Sequence, residues 1–175
     1  ESTLSSDSAK INLYSFYGSV FLNNGKGLFL EAGGRLNIHS RFGNNATFTL
    51  NAFYVLGDQW KFFANLSSAF KAPSLYQLYD ASVGNIALQP ERSLTAEAGL
   101  QYFSKSKKWN SRLVFFARDI KDGIDFSFVD FRYFNNNRQK DKGLEFEFAY
   151  RIKKWQFTQN YTFVTGEVNT TKYVY

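Results

Sequence analysis

Gly143-Leu144-Glu145-Phe146-Glu147-Phe148-Ala149-Tyr150-Arg151-Ile152, the turn Lys153-Lys154, and Trp155-Gln156-Phe157-Thr158 decide the fold of this chain. Leu144, Phe146, Phe148, Tyr150 and Ile152 alternate with Glu145, Glu147, Ala149 and Arg151. Period two is the spacing of a β-strand, whose successive side chains point to opposite faces. Beyond the lysines, Phe157, Tyr161 and Phe163 oppose Gln156, Thr158, Asn160 and Thr162. The pair reads as a hairpin with one oily face and one wet face.

The same alternation runs outward from this hairpin through nearly the whole chain, and no segment carries a convincing helical period. Leu28, Leu30, Ala32, Leu36 and Ile38 stand against Glu31, Arg35, Asn37 and His39. Phe62, Ala64, Leu66, Ser68 and Phe70 stand against Lys61, Phe63, Asn65, Ser67 and Lys71. Strands are expected at about 9–22, 27–40, 46–57, 60–71, 93–104, 109–129, 132–152 and 155–167. Short turns (23–27, 57–59, 105–108 and 153–154) join them at one end. The other end has the loop 41–45, the long segment 72–92 and a tall hairpin tip near Asp130. Short turns on one rim and long loops on the other describe an all-β, antiparallel up-and-down meander, a segment of a transmembrane β-barrel. A Greek-key sandwich would show no such asymmetry.

The three tryptophans, Trp60, Trp109 and Trp155, each open a strand after a short turn at the same end, flanked by lysines. That row suits a membrane-interface girdle, because an indole is half apolar and half hydrogen-bonding. A soluble sheet whose strands begin with β-formers would give the same row.

Composition agrees with half-wet strands. Aromatics are 19% of the 175 residues, with 20 Phe and 11 Tyr, yet mean hydropathy is −0.36. No apolar run approaches the roughly 18–20 residues of a spanning helix. The start, Glu1 to Asp7, lacks the basic and apolar regions of a signal peptide, as expected of a mature chain or a piece of a longer one. Cysteine is absent, which excludes disulfides and thiolate chemistry. The net charge of +6 comes from lysines in turns and scattered positions, not from a basic helix. Solvated turns are favoured over a nucleic-acid footprint.

Catalysis finds little support. His39 is the sole histidine, without partners for a triad or a metal site. Glu145 and Glu147 share a face, as alternation places residues on any lumen wall. Asp119, Asp122, Asp125 and Asp130 lack the spacing of a calcium loop and read as solvated carboxylates. No catalytic residue, metal ligand or cofactor is expected. The candidates for ligand contact are the outer-loop aromatics Tyr76, Tyr79, Phe126, Phe128, Phe131 and Tyr133, with Phe134. They suit a vestibule for a flat or apolar ligand, or simply loop packing.

Phe70-Lys71-Ala72-Pro73-Ser74-Leu75, followed by Leu78-Tyr79, resembles a strand-to-loop motif of the TonB-dependent outer-membrane receptors, especially those for cobalamin and siderophores. Gly84-Asn85 with Leu88-Gln89-Pro90-Glu91 is similar to the turn that follows it there, with Ile86 where proline is usual. Gly33-Gly34-Arg35 and Ser40-Arg41-Phe42-Gly43 resemble an earlier strand and its loop. Asp119-Ile120-Lys121-Asp122-Gly123-Ile124-Asp125, Tyr133-Phe134-Asn135, Gly143-Leu144-Glu145 and Asn160-Tyr161-Thr162 resemble later ones, Gly123 standing where leucine is usual. The ordered set covers about residues 28–167.

The resemblance implies a barrel of 22 strands occluded by a plug, sited in the outer membrane of a Gram-negative bacterium. It also implies import of a scarce nutrient, such as siderophore-iron or cobalamin, energised by TonB–ExbB–ExbD through the plug. Outer-membrane lipid and a small-molecule nutrient are the expected partners, with no nucleic acid. Residues 1–175 then form a partial barrel domain lacking the plug and the closing C-terminal strands, since Tyr173-Val174-Tyr175 is a poor match to a terminal strand. Two other arrangements stay open: a self-contained eight-stranded outer-membrane barrel with a structural or adhesive role, and a soluble lipid-binding barrel with its greasy face inside.

Overall fold

The computed structural model describes residues 10–170. Eight strands follow one another: β1 (Leu13–Asn23), β2 (Leu28–His39), β3 (Gly43–Leu56), β4 (Trp60–Lys71), β5 (Glu91–Phe103), β6 (Trp109–Ser127), β7 (Arg132–Ile152) and β8 (Trp155–Asn169). They form one antiparallel sheet in the order β1 to β8, each strand beside its sequence neighbours. Position 9, expected in the first strand, and Tyr173-Val174-Tyr175 lie outside the described residues.

Expected and observed strand ends agree to within a few residues, with two instructive differences. The fifth strand begins at Glu91, directly after Pro90, because the proline lacks the N–H that a ladder needs. The segment after β4 contains a short helix, α1 (Leu75–Tyr79), where no helix was expected. Five residues are too few for a readable period. Its start is nevertheless built from a capping box, in which the Ser74 side chain accepts from the Gln77 N–H and Gln77 reaches back to the Ser74 N–H.

The pairing register carries the oily residues of all eight strands onto one face. Across β3, β4 and β5, Tyr54 meets Phe62 and Phe62 meets Leu100, while Leu50 meets Leu66. On β6, β7 and β8, Phe115, Leu144 and Phe163 fall in one row. This oily face is the more open one. In β5, Leu94, Ala96 and Ala98 are exposed, whereas the intervening Thr95, Glu97 and Gly99 are partly covered. Phe62, Phe115 and Phe163 are exposed by 42%, 54% and 51%, so the apolar face is the outer, convex one.

The polar face is knitted by hydrogen bonds across strands: Asn51 to Glu31, Asn65 to Glu97, and Arg112 to Glu147. Phe63 and Phe116 lie on this face over Gly99 and Gly143, where any Cβ would meet the ring and a neighbouring carbonyl. The glycine of the Gly143-Leu144-Glu145 motif is thus fixed by close packing.

Both alternative arrangements are corrected here. A soluble barrel with a greasy interior is not what forms, since among the described residues only Leu78, Leu88, Val114 and Phe134 are buried apolar side chains. Nor do eight strands close on themselves: among the described residues β1 pairs only with β2, and β8 only with β7. Both faces of β8 are exposed, and nearly all of β1. A closed eight-stranded tube would need a narrow interior filled by side chains.

Candidate outer vestibule

At the end of the sheet opposite the short turns, residues 72–90 fold over and are tied down. Leu78 and Leu88 are 1% exposed, the buried apolar residues of this segment, and Phe134 on β7 is buried too. Gly84 sits where a Cβ would lie 2.5 Å from the Asp80 carbonyl oxygen and 2.6 Å from its nitrogen, so only glycine fits. The Asn85 N–H donates to the Gln77 carbonyl at 2.8 Å, and its side chain donates to the Tyr133 carbonyl at 2.8 Å.

Two further ties reach the tall β6–β7 hairpin. Gln89 and Asn135 exchange hydrogen bonds, the Gln89 N–H donating to Asn135 Oδ1 at 2.8 Å and Asn135 Nδ2 to the Gln89 carbonyl at 2.9 Å. Glu91 accepts from Lys71 Nζ at 2.7 Å and from the Ile124 N–H at 3.2 Å. The motifs that carry the family resemblance therefore meet in space, and their residues are the rivets of one loop.

The candidate aromatics divide into groups. Tyr76 and Tyr133 stand edge to face at 6.2 Å, Phe126 and Tyr133 at 5.1 Å, and Phe126 and Phe128 at 5.2 Å. This run of four rings joins α1 to the hairpin. Tyr79 is elsewhere, its hydroxyl accepting from Arg41 at 2.5 Å with the guanidinium 5.5 Å from its ring. Phe131 sits at the hairpin tip with a left-handed φ of 51° and 63% exposure, outside the ring cluster. Phe134 is buried rather than presented.

Arg41 is the residue whose role the sequence did not disclose. It lies in the β2–β3 turn and also donates to the Ile86 carbonyl, so it clasps the far side of the 72–90 loop. His39 orients that turn: 3% exposed, it accepts on Nδ1 from the N–H groups of Arg41 at 3.1 Å and Phe42 at 3.2 Å. Burial, and secondarily the Arg41 charge, hold its imidazole below the usual histidine value. It is a structural group. Arg92 adds a bond to buried Asn45 at 2.8 Å. The only advance signal for Arg41 was its place in the Ser40-Arg41-Phe42-Gly43 motif.

The four aspartates do not converge on one point. Asp119 takes both its bonds from Arg138, which lowers its pKa. Asp125 meets the Phe126 N–H and Asn136, and Asp130 meets Ser127. Among the described residues no group of three or more histidine, aspartate and glutamate side chains is arranged to hold a metal.

At the opposite rim Trp60, Trp109 and Trp155 each open a strand. Trp60 packs on Tyr102 at 4.6 Å, Tyr102 on Trp109 at 4.9 Å, and Trp109 on Phe148 at 6.0 Å. Trp155 extends the row on β8, cross-strand from Ile152 and 62% exposed.

A one-layer meander with its oily face outward, aromatic residues along one rim and a riveted loop at the other is the wall of a membrane-type β-barrel. The chain belongs to the TonB dependent receptor-like β-barrel family, whose model matches residues 2–174. That is a family of transport receptors, not of enzymes. Among solved structures it is similar to the siderophore receptor PirA from Pseudomonas aeruginosa, at 27% identity and a TM-score of 0.82 over 90% of this chain and 32% of that one. The ferric enterobactin receptor PfeA from the same organism, in a mutant form bound to enterobactin, aligns at 22% identity and TM-score 0.74, over 89% of this chain and 27% of that one. The copper transporter OprC aligns at 17% and 0.77, over 93% and 29%. The chain thus spans about a third of the length of the receptors it matches.

Proposed function

We propose that residues 1–175 form part of the barrel wall of an outer-membrane receptor in a Gram-negative bacterium, and that the whole receptor captures a scarce iron-bearing siderophore and imports it. In this reading the plug and the remaining strands belong to the parent protein, and TonB–ExbB–ExbD act through the plug. The open edges of β1 and β8 support it, because unpaired strand edges call for neighbours. Siderophore-iron is preferred over cobalamin because siderophore receptors recur among the similar structures.

The observation that carries the reading is the pinning of loop 72–90 to the β6–β7 hairpin, which gathers Tyr76, Phe126, Phe128 and Tyr133 at the outer mouth. Rigid aromatic faces contact a flat ligand with little loss of side-chain freedom. Trp60, Trp109 and Trp155 serve as the girdle at the inner interface.

Two measurements on the intact receptor test this. Spin labels at Phe146 and Phe148 should relax strongly with bilayer-dissolved oxygen; shielding in a dry interior would remove the membrane reading. Tyr76→Ala and Tyr133→Ala should each weaken ferric-siderophore binding roughly tenfold, and unchanged affinity in both would move the ligand elsewhere.

A further inference from the structure

The convex face is not evenly oily. Along β5 and β6 it is lowered by Ala96 and Ala117, which are cross-strand partners, and by Ala98 one row below. Phe115, Leu144 and Phe163 form a raised row beneath, Leu94 stands above, and the dip holds depressions of about 640 and 550 Å³. It runs on toward β3 and β4, where Ala98 meets Ala64 and Ala64 meets Ala52. A further apolar depression of about 620 Å³ lies there. Strands lie about 4.8 Å apart, so the path across these four is roughly the length of an extended acyl chain.

The outer end of this trough carries charges of both signs, with basic residues in excess on the outward face. A crossing of about 9–11 residues counted from the inner turns ends near Asp119 on β6 and Lys142 on β7. Beyond it the outward face of the tall hairpin carries Lys121, Arg138, Lys140 and Lys142 against Asp119, with Glu167 on β8. Arg138 is consumed by Asp119. Lys140 and Lys142 enter none of the four ion pairs among the described residues. Lys142 has Thr165 as its cross-strand partner, while Lys140 lies between Asp119 and Glu167. Lys140, Lys142 and Thr165 all line the larger depression.

From this juxtaposition we infer that the outward trough binds a phosphate-bearing lipid of the outer leaflet, one acyl chain lying over Ala96, Ala98 and Ala117 and the phosphate meeting Lys140, Lys142 and the Thr165 hydroxyl. Small side chains admit the chain, and two ammonium groups at headgroup height, neither in a direct ion pair, select the charge. The inference rests on the membrane orientation proposed above.

The test is native mass spectrometry of the intact receptor in mild detergent, titrated with diphosphorylated lipid A, the same lipid stripped of phosphate, and inorganic phosphate. The phosphorylated lipid should be retained one to one. A lysine near an anionic headgroup contributes about fivefold, so K140Q/K142Q should weaken retention roughly thirtyfold. A117F, which fills the trough and leaves both lysines, should also weaken it, with heat-modifiable gel migration confirming folded barrels. Equal retention of phosphate-free lipid, or indifference to both variants, overturns the site. So does binding of inorganic phosphate that competes fully with the lipid and ignores A117F. Lipid-facing spin labels at Phe146 and Phe148 alongside such a result would remove the lipid site alone and leave the receptor reading intact.

Discussion

Replacing Gly84 by alanine asks whether the outer loop is a built object or a loose connection. The new methyl would lie 2.5 and 2.6 Å from the oxygen and nitrogen of Asp80 and 3.1 Å from the Leu78 carbonyl oxygen, all backbone atoms. None of these can swing aside as a side chain would. Asp80 is held by its N–H bond to Tyr76 at 3.1 Å, and Gly84 by its own bond to Asp80 at 3.0 Å. Overpacking of this kind costs about 1–3 kcal/mol, and breaking one backbone hydrogen bond to relieve it adds about 1 kcal/mol. A local loss of roughly 2–4 kcal/mol makes the loop open between about thirty and several hundred times more often. Hydrogen exchange on the intact receptor would read this as faster exchange at Leu78, Gly84, Asn85 and Leu88, with β5 and β6 amides near Ala98 and Val114 unchanged. Gly18→Ala is the control, since nothing lies within 4 Å of its Cβ position. Wild-type exchange in the Gly84 variant would refute the claim that the loop is rigid because it is tightly closed around that residue.

Arg41→Ala removes the bonds to Tyr79 and Ile86. Because the guanidinium is exposed, the expected cost is only about 1–2 kcal/mol. Chymotryptic cleavage after Tyr79 should accelerate by about tenfold, with Arg41→Lys intermediate because an ammonium loses the forked geometry; equal cleavage of all three proteins would deny the clasp. His39 gives a pH dependence of definite sign. Its folded pKa is depressed, so its contribution is intact above the unfolded value near 6.5. As pH falls through that value the open turn takes up a proton that the closed turn refuses, and stability declines by at most about 1.4 kcal/mol per pH unit. Hydrogen exchange at Arg41 and Phe42, corrected for intrinsic rate, should show this loosening below pH 6.5. His39→Gln should flatten it, and a wild-type protein equally tight at pH 5 and pH 7.5 would contradict the assignment.

Much of this molecule was legible from alternation alone. Phe146, Glu147 and Phe148 can form only a two-faced strand, and turns such as Lys153-Lys154 are too short for anything but a hairpin, so eight strands and their order followed directly. Local chemistry also set several ends, as Pro90 does for β5. Which face looks outward was beyond periodicity, because a period of two is the same for a greasy interior and a greasy exterior. Curvature settled it, leaving Phe115 and Phe163 open while Glu97 is partly covered. The vestibule was less legible still. Helix α1 is shorter than two turns, and Arg41, Gly84, Asn85 and Asn135 act through partners far away in sequence, such as Tyr79 and Gln89. Pairing of neighbouring strands is a local property that the order of residues dictates. The closure of one loop over a distant hairpin, and the trough of alanines drawn from separate strands, exist only once the register has set those strands side by side.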